Sequence, residues 1–475
     1  MIIHTGNVPN EFKVAVVKPL YKKGNPTHPI SYRPISLVTS LTKVFEKTIK
    51  IRLSGYLERF ELISPKQFGF REGKGTHDAI GSLVNNIYSA IDSKTPALCV
   101  FLDLSKAFDT VNHDILLESL EDVGVRGISL NLFKTYLTNR AQLVKIDDFV
   151  SSQRIVECGV PQGTVLGPIL FSIYLNGLLN IDSTGEIISF ADDTVLLYKA
   201  DNWEHLKQKV ESDLSNIFDW FSSKILTINF EKTKFLTFTS YKNSQPNYNV
   251  IHVKHNNTTV NIASTSYIKY LGITIDSHLR WNHHVSNVKN TLRFLLHKFK
   301  YFSSFLDINN LRTMYFAFIE SRLCYGILGW GGVSDIYLKS LEILQKRFIK
   351  LMYNKHFAYP TEQLYVESKL LDIRQLYFYN ICVYIYNHKC SLEQVNHSYP
   401  TRLKAGCHAK TTAAKKTIGQ RSYVYLGTRV FNFLPVELKS LVMSHNCKNL
   451  LKKKLKIFIF SVDRLVTNSI VNVRN

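Results

Sequence analysis

The sequence predicts an α+β chain, and three observations carry that prediction. Ile187–Tyr198 reads as two short β-forming runs around Ala191-Asp192-Asp193, the pattern of a tight hairpin. Ser40–Arg59 and residues 203–223 carry apolar residues at helical spacing. From Ser286 onward the chain turns mostly helical and basic. Strands mixed with helices ahead of residue 285, and helices after it, describe a mixed fold with a helical end.

In chain order, Phe12–Leu20 is strand-like and is broken by Lys22-Lys23-Gly24-Asn25-Pro26. Arg33-Pro34-Ile35-Ser36-Leu37 opens a second extended segment. The Ser40–Arg59 helix presents Leu41, Val44, Phe45, Thr48, Ile49, Leu53 and Leu57 on its apolar face, with Lys and Arg opposite. Gln67–Gly75 is a Gly-rich basic loop, and Thr76-His77-Asp78 caps a helix running to about Ser93. Residues 97–104 form a continuous apolar strand ending in Asp103. Helices follow over about His113–Val123 and residues 129–139, then a hairpin over 141–158. The loop Gly159–Pro168 leads into an apolar helix from about Ile169 to Leu179, then the Ile187–Tyr198 hairpin. In the 203–223 helix the apolar face is Trp203, Leu206, Val210, Leu214, Ile217, Phe218 and Phe221. Strands are expected at 225–230 and 234–239, a polar loop at 240–248, and a β pair over roughly 249–276.

The totals narrow the function. The chain has 475 residues, enough for roughly two to four domains. A net charge of +22 repels itself in a compact fold unless a polyanion is the partner. Nucleic acid is the first candidate and an anionic membrane surface the second. The seven cysteines (Cys99, Cys158, Cys324, Cys382, Cys390, Cys407 and Cys447) lie far apart, as in a reduced intracellular chain. No apolar run approaches the ~20 residues of a membrane span, and Met1–Pro9 has no signal-peptide pattern. The expected location is therefore intracellular, with no membrane partner.

The chemistry centres on carboxylates. Two neighbouring aspartates between buried strands repel each other and resist ionisation, a cost that a divalent cation removes. As a turn, Ala-Asp-Asp is equally ordinary. Asp103 ends another buried strand. If the two elements adjoin, three carboxylates converge as two-metal phosphoryl transfer requires, with Mg²⁺ the first candidate. Phe108, five residues on, either packs the next helix or presses on a nucleotide sugar and excludes a 2′-hydroxyl. No Ser/His/Asp constellation is evident, and none is needed.

These residues carry a resemblance. FLDLSKAFDTVNHDIL (101–116), GVPQGTVLGPILF (159–171) and ISFADDTVLLY (188–198) resemble motifs A, B and C of reverse transcriptases, most nearly those of non-LTR, LINE-like retrotransposons of the jockey and CR1 type. KPLYKKGNPTHPISYRPISL (18–37) and QFGFREGKGTHDAI (67–80) resemble the two fingers motifs. LTINFEKTKFLTF (226–238) resembles motif D, and KYLGITIDSHLRWNHHV (269–285) motif E with its continuation. The likeness covers about residues 10–285.

The resemblance implies a right-hand polymerase: fingers over 1–98, an antiparallel-sheet palm over 99–285, a thumb over 286–340, and a basic nucleic-acid-binding region over 341–475. It implies RNA-directed DNA polymerisation from dNTPs onto a DNA primer or target 3′-end, on an RNA template, with Mg²⁺ or Mn²⁺. It makes Asp103 and Asp192 the metal holders, with the Leu104 carbonyl as a further ligand and Asp193 in support. Phe108 becomes the sugar gate, and Gln162 and Gly163 line the nucleotide pocket. Lys22 and Arg33 clamp the triphosphate, with Lys18 and Lys23 as competitors for the lysine role. Asn229 and Lys232 match motif D, where Lys232 would protonate departing pyrophosphate and Lys234 competes. Tyr270-Leu271-Gly272 matches the primer grip. Trp281 and His284 fall at the palm–thumb junction, where packing is the expected role. The nucleus is the expected place of action, with the cytoplasm the alternative.

Elements of this kind carry an endonuclease ahead of the polymerase, and about ten residues precede the first fingers motif here. The expectation is a truncated copy, a partial gene model or an excised fragment. Between Thr401 and Lys456 thirteen Lys/Arg stand against the single acid Glu437, suited to phosphate contacts. Cys390, His397, Cys407 and His408 suggest a zinc knuckle, but their spacing fits no common pattern. Two competitors remain: a catalytically silent nucleic-acid-binding remnant with the same fold, and a group II intron maturase. The KAFD and FADD forms and the run to Trp281 disfavour the maturase.

Overall fold

The computed structural model describes residues 2–239, 245–388, 409–410, 414–444 and 446–472. A short N-terminal helix α1 (Ile2–Thr5) precedes β1 (Val14–Tyr21), which pairs antiparallel with β2 (Tyr32–Leu37). On its other side β1 runs parallel to β4 (Ala141–Ile146), which also carries β5 (Phe149–Val150) and β6 (Arg154–Ile155). The break at 22–26 is a real turn: the Lys22 N–H donates to the Ser31 carbonyl at 2.8 Å, and Gly24 takes a φ of +95°.

Helix α2 spans Ser40–Arg59, as its pattern predicts, with Thr39 capping the Thr42 N–H. Its buried face differs from the predicted one. Leu41 and Val44 are 71% and 64% exposed, while Thr42, Glu46, Ile49, Leu53 and Leu57 are buried. Glu46 turns inward because its carboxylate accepts from the Tyr136 hydroxyl (2.6 Å) and the Val165 N–H (2.7 Å). A buried charge needs such partners. Helix α3 (Thr76–Asp92) is amphipathic: Ile80, Leu83, Val84, Ile87 and Ile91 are buried on one side, and Ser82, Asn85, Asn86 and Ser89 lie on the other. The Asp78 carboxylate accepts the Gly75 N–H at 2.7 Å at its start.

Strand β3 (Ala97–Leu102) is buried throughout, which explains its unbroken apolar run. It lies in a six-stranded sheet of order β10-β11-β9-β3-β8-β7, between β8 (Asp193–Lys199) and β9 (Lys234–Phe238), antiparallel to both. The edge strand β7 (Glu186–Phe190) forms the predicted hairpin with β8. Residues 225–230 are not a strand and make only the isolated Leu104–Ile228 bridge. Ile225 ends the preceding helix at φ +54°, and the Asn229 side chain closes a turn onto the Lys232 N–H (3.2 Å), so local bonds use up the backbone. The single β pair expected over 249–276 is two hairpins. β10 (Val250–His255) and β11 (Thr258–Ser264) join the large sheet, while β12 (Tyr267–Tyr270) and β13 (Ile273–Asp276) stand apart.

Alternation along these strands builds two cores. Leu98, Val100, Leu102, Ile187, Leu196 and Tyr198 face α4 (His113–Asp122), α5 (Gly127–Leu137), α6 (Gly167–Leu179) and α7 (Trp203–Ser223). Cys99, Phe101, Ile188, Val195, Leu197 and Leu236 face α3 and the helices of the second half. Those begin with α8 (Asn282–Phe302), α9 (Ile308–Met314), α10 (Ser321–Cys324) and α11 (Ile327–Trp330). They continue with α12 (Asp335–Met352), α13 (Thr361–Ser368), α14 (Ile373–Asn387), α15 (Tyr423–Phe433), α16 (Val436–Met443), α17 (Lys448–Ser461) and α18 (Arg464–Val471). Helix α12 crosses residue 340, and its Phe348 meets Phe299 of α8 edge-on at 5.3 Å.

The last segment is sewn onto α3. The N–H groups of Lys415 and Lys416 donate to the Asp92 carboxylate at 2.9 and 2.6 Å, and Ser422 Oγ donates to Asn85 Oδ1 at 2.5 Å. Tyr423 lies over Gly81, where a Cβ would stand 3.3 Å from its hydroxyl. Cys390, His397, Cys407 and His408 lie outside the described residues. No described helix is long and apolar enough to cross a membrane.

Candidate active site

The sheet register brings the carboxylates together. Leu102 of β3 pairs with Thr194 of β8, so Asp103 emerges one residue further along, beside Asp193. Phe190 pairs with Asp193, which leaves Ala191-Asp192 as a two-residue turn. Ala191 takes φ +58°, the left-handed value such a tight turn demands. Burial raises the Asp192 carboxyl, and so does the charge of Asp103, while Lys22 and Arg33 oppose both. Asp193 is exposed by area, yet enough protein crowds its carboxyl that desolvation, then the charges of Asp192 and Asp103, push it up to about 6.

Lys22 and Arg33 thus sit where their charge reaches Asp192, at the turn end of the β1–β2 hairpin. Lys232 lies against Asp103, its Nζ 3.2 Å from Oδ2. Its competitor Lys234 is in β9, paired with Phe101. The Asn229 N–H donates to the Asp103 carbonyl (2.8 Å) and the Ser105 N–H to the Thr227 carbonyl (2.8 Å). These are the bonds of the Leu104–Ile228 bridge, so the Leu104 carbonyl stays outside that ladder.

Phe108 stacks on Phe171 with centroids 4.4 Å apart, and Phe70 meets it edge-on at 6.3 Å. The loop before α6 is tied to both sides of this ring. The Val160 N–H donates to the Phe108 carbonyl (2.8 Å), and the Gln162 carbonyl accepts from the Ser36 N–H (2.7 Å). Gln162 Nε2 donates to Asp109 Oδ1 at 3.0 Å, and burial pushes Asp109 up against that bond. Gly163 takes φ +102°, and a Cβ there would stand 3.0 Å from the Ser36 carbonyl oxygen. A cavity of about 310 Å³ opens on this side, lined by Pro34, Ser36, Asp109, Arg140 and Gln162, rather than over the carboxylates.

Tyr270, Leu271 and Gly272 form the β12–β13 turn, with Leu271 at φ +42° and Gly272 at +82°. The Tyr325 hydroxyl donates to the Leu271 carbonyl at 2.7 Å. Tyr270 is buried against Phe101 (5.7 Å), and burial together with the Asp193 charge drives its hydroxyl far up. Trp281 is fully buried and donates its indole N–H to the Tyr88 hydroxyl at 3.2 Å, and His284 packs on Trp330.

Sequence reasoning missed several residues. Gln67 is fully buried and bonded to the Ala191 turn, although a glutamine in a Gly-rich loop reads as solvated. Thr233 Oγ1 accepts the Asp103 N–H at 3.3 Å. Ser222, His255 and Asp219 do stand together: Ser222 Oγ is 3.3 Å from His255 Nε2, and Asp219 Oδ1 lies 3.4 Å from Nδ1 without a hydrogen bond to it. The cluster lies at the α7–β10 contact, and the His255 Nε2 is shared with Asn256 at 3.2 Å. Packing of α7 on β10 brings His255 to Asp219 and Ser222, so no local spacing could reveal the cluster.

Among the described residues no three His, Cys, Asp or Glu side chains are already gathered as a metal site, and Lys232 engages Asp103. The donors nevertheless fit a hard divalent cation: all are oxygens, and Asp192 and Asp193 are raised by burial and then by neighbouring carboxylate charge, both of which such an ion offsets.

The family described as reverse transcriptase (RNA-dependent DNA polymerase) matches residues 21–275. The probable RNA-directed DNA polymerase from transposon X-element of Drosophila melanogaster is 27% identical over 380 residues, 78% of this chain and 41% of the relative. That from transposon BS is 30% identical over 357 residues (72% and 38%). The RNA-directed DNA polymerase from mobile element jockey is 29% identical over 362 residues (74% and 38%), both also from Drosophila melanogaster. The chain thus spans about two-fifths of the length of these relatives. A solved telomerase from Candida albicans, in complex with a telomeric RNA fragment, superposes at a TM-score of 0.44 with 11% identity, covering 77% of this chain and 68% of that one. With its three carboxylates on adjoining strands and more than half its length matched, this chain belongs to the reverse transcriptase family.

Proposed function

We propose that the chain is the RNA-directed DNA polymerase of a non-LTR retrotransposon, adding dNTPs to a DNA primer 3′-end on an RNA template. The convergence of Asp103 and Asp192 at one sheet edge, faced by Lys22 and Arg33, carries this reading. In the reaction the primer 3′-oxygen bonds to the α-phosphorus, the bond to the β-phosphate oxygen breaks, and pyrophosphate leaves. Asp103 and Asp192, supported by Asp193 and the Leu104 carbonyl, would hold Mg²⁺ (or Mn²⁺), which neutralises charge on the attacking and leaving oxygens.

The chain's own groups do the rest. Lys22 binds the triphosphate as a point charge and Arg33 as a fork. Phe108, backed by Phe171, leaves no room for a 2′-hydroxyl. Gln162 and Gly163 shape the nucleotide pocket, and Lys232 delivers a proton to pyrophosphate as a general acid. Tyr270-Leu271-Gly272 holds the primer end. Residues 1–98 act as fingers, 99–285 as palm, 286–340 as thumb, and 341–475 as a basic surface for RNA or target DNA. Such a polymerase works in the nucleus, where target DNA lies.

Primer extension on poly(rA)/oligo(dT) with Mg²⁺ tests this. Extension is expected from the unaltered chain and is abolished by Asp192→Ala with hybrid binding retained. Binding without extension by the unaltered chain identifies a silent remnant instead.

A further inference from the structure

The loop Gln67–Phe70 touches both halves of the proposed site. Residues 66–68 run alongside β7: the Ser189 N–H donates to the Lys66 carbonyl (3.0 Å) and the Phe68 N–H to the Ser189 carbonyl (2.8 Å). Between them the Gln67 side chain is wholly buried. Its Oε1 accepts from two backbone donors, the Gly69 N–H at 2.8 Å and the Ala191 N–H at 3.1 Å. Its Nε2 donates to Ser189 Oγ at 3.2 Å, which in turn donates to the Ala191 carbonyl at 3.2 Å. Both polar groups of the Ala191 peptide are therefore held by one buried amide, directly or through one hydroxyl. An uncharged amide supplies acceptor and donor together, and an ionised glutamate would add a charge beside Asp192 and Asp193.

The fit is close enough to demand glycine next door. A Cβ on Gly69 would stand 2.4 Å from the Ala191 nitrogen. Phe70 then turns the chain at φ +60°, uncommon for an aromatic residue, and lays its ring edge-on against Phe108. Strained backbone of this kind persists only where its surroundings hold it.

We propose that Gln67–Phe70 is a positioning bracket: Gln67 holds the Ala191-Asp192 turn in place, and Phe70 fixes the ring of Phe108 relative to it. The Phe70 half rests on Phe108 being the sugar gate. The bracket makes rate and sugar choice separately breakable.

Single-nucleotide extension with dNTP and rNTP, alongside amide hydrogen exchange in the metal-free protein, tests the bracket. Gln67→Ala is expected to lower kcat by about 10²-fold, the scale of an ångström-level misplacement. The KM for dNTP and the dNTP-over-rNTP preference are expected to hold, and the Ala191 amide to lose its exchange protection. Phe70→Ala is expected to lower the dNTP-over-rNTP preference by about tenfold, the scale of a modest pocket change. Should Gln67→Ala fail to fold, Gly69→Ala and Ser189→Ala probe the same turn and must reproduce the kcat loss with hybrid affinity intact. A wild-type kcat, or an Ala191 amide still protected in Gln67→Ala, overturns the clamp. An unaltered preference in Phe70→Ala, when Phe108→Val lowers it, overturns the gate half alone. If Phe108→Val also leaves the preference unaltered, the gate reading falls and takes that half with it.

Discussion

The two faces of the six-stranded sheet are covered by different means. One face is closed by α4–α7, all drawn from the stretch between β3 and β9 that also carries the carboxylates. The other is closed by α3 and by helices from the second half of the chain, out to Val471. The first cover is local; the second needs residues 320 or more positions apart to meet, as Asp92 meets Lys415 and Lys416. The helical region is therefore not an appendage, because it completes a core that the carboxylate-bearing sheet cannot close alone.

Removing the distant cover should have the largest effect. A chain ending after Asn387 leaves Gly81 without Tyr423 and strips the outer side of α14. It is expected to lose monomeric solubility, read by size exclusion and by the absence of a cooperative melt. A soluble truncation with a sharp transition would falsify the shared core.

Next come single cavities. Phe218→Ala on the local face and Phe378→Ala on the distant face each remove a buried ring and should cost about 3–5 kcal/mol. Both are expected to shift one common unfolding transition in denaturant. Two resolved transitions, each moved by only one of the variants, would mean that the faces fold apart.

A pH effect follows on the distant face. His284 is buried beside Trp281 and Trp330, and its Nδ1 accepts the Thr274 N–H at 3.4 Å. Desolvation lowers it from 6.5 to about 4, so the unfolded chain binds the proton more readily. Its contribution is fully present above pH 6.5 and is lost as pH falls through 6.5 towards 4, at most about 3 kcal/mol. Denaturant titrations at pH 7 and 4.5 should show this loss, and His284→Gln should shrink it. An equal loss in the variant would assign the acid sensitivity elsewhere.

The smallest effect belongs to α2. Leu41→Ser, on a side chain 71% exposed, should change stability by no more than about 0.5 kcal/mol. Leu53→Ala on the buried side should cost about 2–5 kcal/mol. Equal costs would place a partner on the exposed stripe.

The same division explains what could be read from sequence. Strand β3 and the β7–β8 hairpin were legible because short unbroken apolar runs and a two-residue turn are local signals. The bounds of α2 were legible, but its inward face was not. Glu46 is drawn in by Tyr136, 90 positions away. The motif order led to Asp103, Asp192, Phe108 and Gln162, and the register of β3 against β8 brings the first two together. Gln67 stayed hidden because its partner turn lies 124 positions later. The docking of the 415–423 segment onto α3 had no local signature, because its partners Gly81, Asn85 and Asp92 lie more than 320 positions earlier.

The stitching of Lys415 and Lys416 to Asp92 has a consequence during synthesis. The bonded residues are separated by 323 and 324 positions. At roughly 5–20 residues per second, about 15–65 s pass between the emergence of α3 and the arrival of its last cover. The carboxylate hairpin, its Gln67 bracket and α4–α7 are all made within that interval, while Asp92 at the end of α3 still waits for its partners. A nascent chain of this design therefore has its carboxylate hairpin complete well before the polar side of α3 receives Lys415, Lys416 and Ser422.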